Sequence, residues 1–347
     1  MKKIILLIAI FFISYTNAQT ILIVDNNVSV DTTPAHVFNT FAGAIAAAAN
    51  GDTIYVQPSE TTYGSITINK EVTIYGGGHT PELNNGRRAF FGNISITASN
   101  VKLSGIGVSA NTSLSVTGTR SNITIENNML FNIAISGGIT DNVIIQGNII
   151  NNNLTLSSNA ANSMNTTVVN NFFDTPSANG LSYLNSSTIF NNNIVVFNGV
   201  TTQSFINQPI DLVAQNNVFV FTSSFNGTNW EAGGTPTTFH NCLSYSYSGN
   251  TLALMNGIGN HDNINPIFTS IPANNPVFDV LNDYHIGSGS LGTDGNEVGI
   301  HNGFYDFDMR GYPTLLPYIT EMTIQNNMLP AGTDLNVNLK ANANKTN

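Results

Sequence analysis

Asn142-Val-Ile-Ile-Gln-Gly-Asn148, followed by Ile149-Ile-Asn-Asn-Asn153, sets strand-forming and turn-forming residues side by side. Isoleucine and valine favour strands, whereas asparagine favours turns and tolerates left-handed backbone. The two recur at a fixed interval. Asn122-Ile-Thr-Ile-Glu-Asn-Asn128, Asn165-Thr-Thr-Val-Val-Asn-Asn171, Ser187-Thr-Ile-Phe-Asn-Asn-Asn193 and Asp211-Leu-Val-Ala-Gln-Asn-Asn217 repeat the pattern, and Thr235-Pro-Thr-Thr-Phe-His-Asn241 follows it more loosely. The closing asparagines, Asn128, Asn148, Asn171, Asn193, Asn217 and Asn241, are 20 to 24 residues apart. Second alternating strands lie between them, among them Ser113-Leu-Ser-Val116 and Asn153-Leu-Thr-Leu156.

A 20–24-residue repeat built from short strands predicts a solenoid, here an all-β, right-handed parallel β-helix. Stacked coils bring equivalent residues about 4.8 Å apart, so the six asparagines are expected to form a structural ladder of side-chain amides. Alternate strand residues, such as Ile123 with Ile125 and Thr188 with Phe190, are expected to fill the core.

The ends of the stack need covers. Thr33-Pro34 suggests the start of a capping helix at about 33–50, with Phe38, Phe41 and Ile45 on one face. Asp52-Thr-Ile-Tyr-Val56 would then open the first coil. Past residue 260 the repeat decays, and Asn265–Phe268, Asp283–Ile286 and Glu297–Ile300 read as last, irregular coils. Tyr318–Ile324 and Asp334–Lys340 predict an antiparallel hairpin appended to the far end. The resulting division is 1–18, 19–310 for the β-helix and 311–347 for the hairpin extension.

Lys2 and Lys3, the apolar run Ile4–Ile13 and Thr16-Asn17-Ala18 form the three parts of an export signal, with cleavage expected after Ala18. The expectation is a periplasmic, cell-surface or extracellular protein with no transmembrane segment in the mature chain. Only 9% of the 347 residues are charged and the net charge is −10, which argues against nucleic acid as a partner. Cys242, the single cysteine, excludes an internal disulfide and reads as a buried filler.

Phe41-Ala-Gly-Ala-Ile through Gly51-Asp-Thr-Ile-Tyr-Val56 resembles the opening of the pectin-lyase-like superfamily. Tyr284-His-Ile-Gly-Ser-Gly-Ser290 with Gly295-Asn-Glu-Val-Gly-Ile300 resembles the closing coils of secreted right-handed β-helix proteins of Bacteroidetes type. The resemblance spans roughly 33–342 and implies the fold; members of that superfamily include polysaccharide lyases, hydrolases and proteins without a known reaction.

A lyase of this kind requires Ca²⁺ held by acidic groups together with a Lys or Arg base, and a glycosidase requires two facing carboxylates. Lys102 and Glu126, one coil apart and both outward, are the candidate catalytic residues, with a surface ion pair as the alternative. Asp294, Asn296 and Glu297 are candidate Ca²⁺ ligands, with a glycine turn as the alternative. Otherwise no cofactor is implied. On the outer face, Ile144, Val169, Ile189 and Val213 form an apolar patch for a partner or for the chain's own 222–236 loop. Trp230, Tyr245 and Tyr247 offer flat faces to sugar rings, with core or loop packing as the default reading. Sparse charge favours a non-catalytic β-helix whose rigid polar surface binds a polysaccharide or a cell-surface protein. The alternatives are a polysaccharide lyase or hydrolase acting on uronic-acid polymers, and a surface-binding solenoid.

Overall fold

A computed structural model of the protein describes residues 19–82, 86–175, 179–198, 204–222, 229–288, 290, 297–303, 305–314, 316–324, 332 and 334–343. The export signal read at 1–18 lies outside them. The chain forms a parallel β-solenoid of about nine turns. Among the described residues no helix is long and apolar enough to cross a membrane.

Three stacks of strands make three faces. Face 1 is a twelve-stranded sheet that includes Thr53–Val56, Val101–Ser104, Arg120–Glu126, Thr140–Gln146, Ser163–Val169, Ile189–Asn191, Val213–Gln215 and Thr238–His240. Face 2 runs through Phe172–Thr175, Ile194–Phe197, Val218–Phe221 and Leu243–Ser246. Face 3 runs through Ile66–Ile68, Ile94–Ile96 and Ser113–Thr117. The strands Met129–Ser136 and Ile149–Thr155 bend from face 2 into face 3.

Alternation sets the core, as expected. On face 1 the inward column reads Ile54, Ile74, Leu103, Ile125, Ile145, Val168, Phe190, Ala214 and Phe239, all buried. The intervening residues face outward. Sequence register slips by one in the last coil, where Val213 pairs with Thr238 and Gln215 with His240. Thr237 and Phe239, which alignment of Thr235–Asn241 with the earlier repeats would place outside, are therefore buried inside.

The asparagine pairs at the corner between faces 1 and 2 have divided tasks. The first member, at 127, 170, 192 and 216, takes a positive φ of 51–57°. The second, at 128, 171, 193 and 217, points inward and is fully buried, as is Asn148. From Asn148 onward each inner Oδ1 accepts two bonds from the coil before it, whereas Asn128 Oδ1 accepts from Ile106 N; Asn171 Oδ1 takes the main-chain N–H and the Nδ2–H of Asn148, both at 3.0 Å. The same pattern links Asn128 to Asn148, Asn171 to Asn193 and Asn193 to Asn217. Each Nδ2 also donates to a carbonyl of face 1, as Asn148 does to Ile125 at 2.8 Å. Asn241 is a correction. It occupies the outer, left-handed position at φ 51°, and Cys242 Sγ stands in the rung, 3.5 Å from Asn217 N. Asn260 resumes the ladder by accepting from Cys242 N at 3.0 Å. Burial pushes the Cys242 thiol up to about 12, so it behaves as filler.

The N-terminal cover differs from expectation in where it starts. The helix spans Phe41–Ala47, with Thr40 accepting from Gly43 N at its start. Thr33-Pro34 precedes it because Val37–Phe38 is a strand paired with Ile23–Val24. Ile21–Val24 itself pairs with Thr53–Val56, so face 1 begins before the helix. Phe41, Ala44 and Ile45 are buried, and Lys70 Nζ satisfies the last carbonyls at Ala46 and Ala48.

The larger correction lies in the C-terminal quarter. Asn265–Phe268, Asp283–Ile286 and Glu297–Ile300 are not coils. Phe268–Ser270 and Asp283–Ile286 form an antiparallel pair that covers the outside of face 2. A second core results, joining outward Ile149, Phe172, Ile194, Val196, Val218, Val220 and Leu243 to Phe268, Tyr284, Ile286, Val298, Ile300 and Phe307. Ile194–Phe197 and Val218–Phe221 are buried at every position. Strands buried on both sides lose their alternation, which is why these read as continuous apolar runs.

The described residues between Val298 and Pro313 run back along the asparagine corner as a strap. Gly299 N donates to Asn216 O, Asn170 Nδ2 to Ile300 O, Tyr305 OH to Asn127 Oδ1 and Asn127 Nδ2 to Tyr312 O, at 2.7–2.9 Å. The outer asparagines thus hold the strap, while the inner ones hold the coils. Gly147 replaces asparagine in this column because a Cβ there would lie 2.3 Å from the Tyr305 ring. The strap delivers the hairpin, Pro317–Ile324 with Val337–Ala343, to the N-terminal end instead of the far end. There Tyr318 stacks on Tyr312 at 3.7 Å, beside Gln57, Pro58 and Gly77.

Beneath the strap lies His79, fully buried, with its Nε2 edge against Gly311, where any Cβ would overlap the ring. Burial first, then Arg88 and Arg310, pull its pKa down from 6.5 to about 3. The folded state therefore holds the ring neutral, whereas the unfolded chain protonates it near 6.5. Its contribution is complete above pH 6.5 and is lost as pH falls towards 3, at about 1.4 kcal/mol per unit. Urea unfolding is expected to show about 2 kcal/mol less stability at pH 5 than at pH 7.5 from this ring, and His79→Gln to flatten that slope.

Candidate functional site

Face 1 presents two outward columns. One reads Thr73, Lys102, Thr124, Ile144, Thr167, Ile189, Val213 and Thr238; its neighbour reads Tyr75, Ser104, Glu126, Gln146, Val169, Asn191, Gln215 and His240. Parallel pairing keeps these rows in register, so the four candidate apolar residues do share one face. Ile189 and Val213 are 51% and 40% exposed, while Ile144 and Val169 are half-buried. Gln146, Asn191, Gln215 and His240 line the strip with amides and an imidazole, and Thr124, Thr167 and Thr238 interrupt it with hydroxyls.

Lys102 and Glu126 meet at the N-terminal end of the same face. Lys102 Nζ lies 2.7 Å from Glu126 Oε1, and the Glu126 side chain is 3% exposed. Gln146 Nε2 donates to Glu126 Oε2 at 3.1 Å. The Lys102 ammonium also stands 5.9 Å above the Tyr75 ring. Burial, then the Glu126 charge, raises the phenols of both Tyr75 and Tyr305, so both remain protonated. Lys102 Nζ is occupied by the buried Glu126 carboxylate, which sets it against the role of a general base. The residues flanking Glu126 in its column are Ser104 and Gln146, so the column supplies it with no second carboxylate. Chemically the cluster is a shielded ion pair.

The aromatic candidates lie elsewhere. Trp230 is 5% exposed and sits in the solenoid core against Phe219, Phe221 and Phe239, with Nε1 donating to Ala253 O at 3.0 Å. It neither covers the apolar strip nor reaches a sugar. Tyr245 and Tyr247 pack edge to face at 5.0 Å, half-buried against the second core beside face 2. Asp294 and Asn296 lie outside the described residues. Glu297 is engaged by the cover: Oε1 accepts from Ile286 N at 2.7 Å, and Oε2 is 2.9 Å from His285 Nδ1. The amide and imidazole border of the strip, exposed Gln215 with half-buried Asn191 and His240, was not singled out as a candidate site in the sequence. Its signal was the polar residue two positions before the rungs Asn128, Asn148, Asn193 and Asn217, with Val169 before Asn171 as the exception. Comparisons with protein-family models, with curated proteins and with solved structures find no match for this chain.

Proposed function

We propose that the protein is an exported, non-catalytic β-helix whose face 1 binds a polysaccharide or a cell-surface protein. One observation carries this reading. The chain covers the apolar exterior of face 2 with its own C-terminal segment, yet among the described residues none buries Ile189 and Val213 of face 1, which are 51% and 40% exposed. A flat apolar strip bordered by amides and hydroxyls suits the C–H faces and hydroxyls of a sugar chain. The paired state of Lys102 and Glu126 supports binding over catalysis. The resemblance to pectin-lyase-like proteins, and the lysine-rich, apolar N-terminus, are consistent with an exported protein meeting polysaccharide.

A glycan array, alongside assays of uronic-acid polymers with and without Ca²⁺, tests the reading. Binding without turnover is expected. The double substitution Ile189→Asp with Val213→Asp should weaken binding at least about tenfold and leave stability within about 0.5 kcal/mol, since both side chains are exposed. Ultraviolet absorbance from unsaturated products would support the lyase alternative instead.

A further inference from the structure

We propose that Asp283, His285 and His301 form a binding site for a zinc-class divalent cation that staples the face 2 cover to the strap. One ligand atom from each of the three lies within 4.8 Å of the others, and no other group of three such residues occurs among the described residues. A tetrahedral ion with bonds of about 2.0–2.1 Å needs donors roughly 3.3 Å apart. The required closure is within reach of side-chain rotation. The His285 and His301 rings now stack at 3.8 Å with planes 17° apart, so binding would turn two adjacent nitrogens onto one point.

The backbone directs these residues together. Along Asp283–Ile286, Tyr284 and Ile286 enter the second core, which turns Asp283 and His285 to the other side. His301 follows the fully buried Ile300 in the strap. Each ligand is thus anchored by a buried neighbour. Asp283 Oδ1 accepts from His285 N at 3.0 Å, which orients its carboxylate.

Glu297 supplies the second observation. Its Oε2 takes Nδ1 of His285 at 2.9 Å, while Oε1 is fixed by Ile286 N at 2.7 Å. A carboxylate on Nδ1 selects the tautomer whose Nε2 carries the lone pair, as in the carboxylate–histidine–metal arrangement. Asp283 and Glu297 bring two negative charges to two imidazoles, which a dication balances. Two imidazoles and one carboxylate select zinc and its neighbours over Ca²⁺ or Mg²⁺. Three protein ligands leave a fourth position to water.

The test uses the untagged full chain after treatment with a chelator. Titration with Co²⁺ should produce visible d–d absorption saturating at one ion per chain; Zn²⁺ should bleach it, millimolar Ca²⁺ should not, and Zn²⁺ should raise the thermal midpoint. His285→Ala and His301→Ala should each abolish the spectrum, and Glu297→Gln should weaken Zn²⁺ binding about 10–100-fold at unchanged stoichiometry. Circular dichroism verifies folding, with His301→Asn as the replacement if His301→Ala does not fold. Absence of a Co²⁺ spectrum, or Zn²⁺ binding of equal affinity in the His285→Ala/His301→Ala double variant, would overturn the proposal.

Discussion

Asn171→Ala is expected to cost about 4 kcal/mol of stability, because it strands several buried polar groups at once. Asn171 Oδ1 accepts from both the N and Nδ2 of Asn148, and its Nδ2 donates to Ile145 O, Val169 O and Asn193 Oδ1. Alanine fills none of these roles and leaves a cavity. A single buried unsatisfied group costs about 1–3 kcal/mol, and relaxation recovers part of the sum. The exposed asparagines near the start of the face 1 strands make the comparison. Asn122 Oδ1 accepts from Asn142 Nδ2 at 2.8 Å, but that pair is exposed and water replaces it. Asn122→Gly, which tolerates the left-handed backbone there at φ 58°, should cost less than about 1 kcal/mol. Urea unfolding of both variants measures the difference, and similar losses would mean that burial does not decide the ladder's contribution.

Tyr284→Ala is the second large effect, again about 4 kcal/mol, but confined to the cover. The ring is 1% exposed and packs against Phe172 at 4.8 Å and Phe268 at 5.6 Å. Its hydroxyl donates to Val277 O and accepts from Asp279 N and Asn282 Nδ2. Truncation removes the centre of the second core and releases those groups together. The solenoid's first core does not include Tyr284, so the cover should open before the coils do. The expected signature is binding of an apolar dye, with fast amide exchange in 265–288 and retained protection across face 1. Tyr284→Phe, which keeps the ring, should cost about 1–2 kcal/mol. Loss of protection along the whole solenoid would show that the cover and the coils unfold as one unit.

The solenoid was legible because its signal is repeated: a period-two core pattern and a turn residue recurring every two dozen positions point to the same architecture. The last coil shows how that reading slips. Matching Asn241 to the rung aligned the most visible letter, whereas matching Phe239 to Phe190 puts Asn241 in the left-handed corner and Cys242 inside. The C-terminal cover was hidden for a different reason. Its short strands carry alternation that a coil would also show, and their destination depends on contacts with residues a hundred positions away. The evidence for a cover lay in face 2, where Ile194–Phe197 and Val218–Phe221 abandon alternation. The sequence leaves Trp230 open between sugar and core or loop packing, because a lone aromatic beside a loop looks the same in either place; the core reading is the one that holds. The histidine–aspartate cluster joins residues 283 and 301 through folding of the cover against the strap, and no local spacing announces it.

The division of labour between paired asparagines is tested most directly by hydrogen exchange of side-chain amides in protein labelled with ¹⁵N-asparagine. The Nδ2 protons of Asn148, Asn171 and Asn193 should exchange only through unfolding of the coils, whereas those of Asn122 and Asn142 should exchange within the dead time or shortly after. Equal, rapid exchange at both sets would contradict an inner ladder that binds coil to coil.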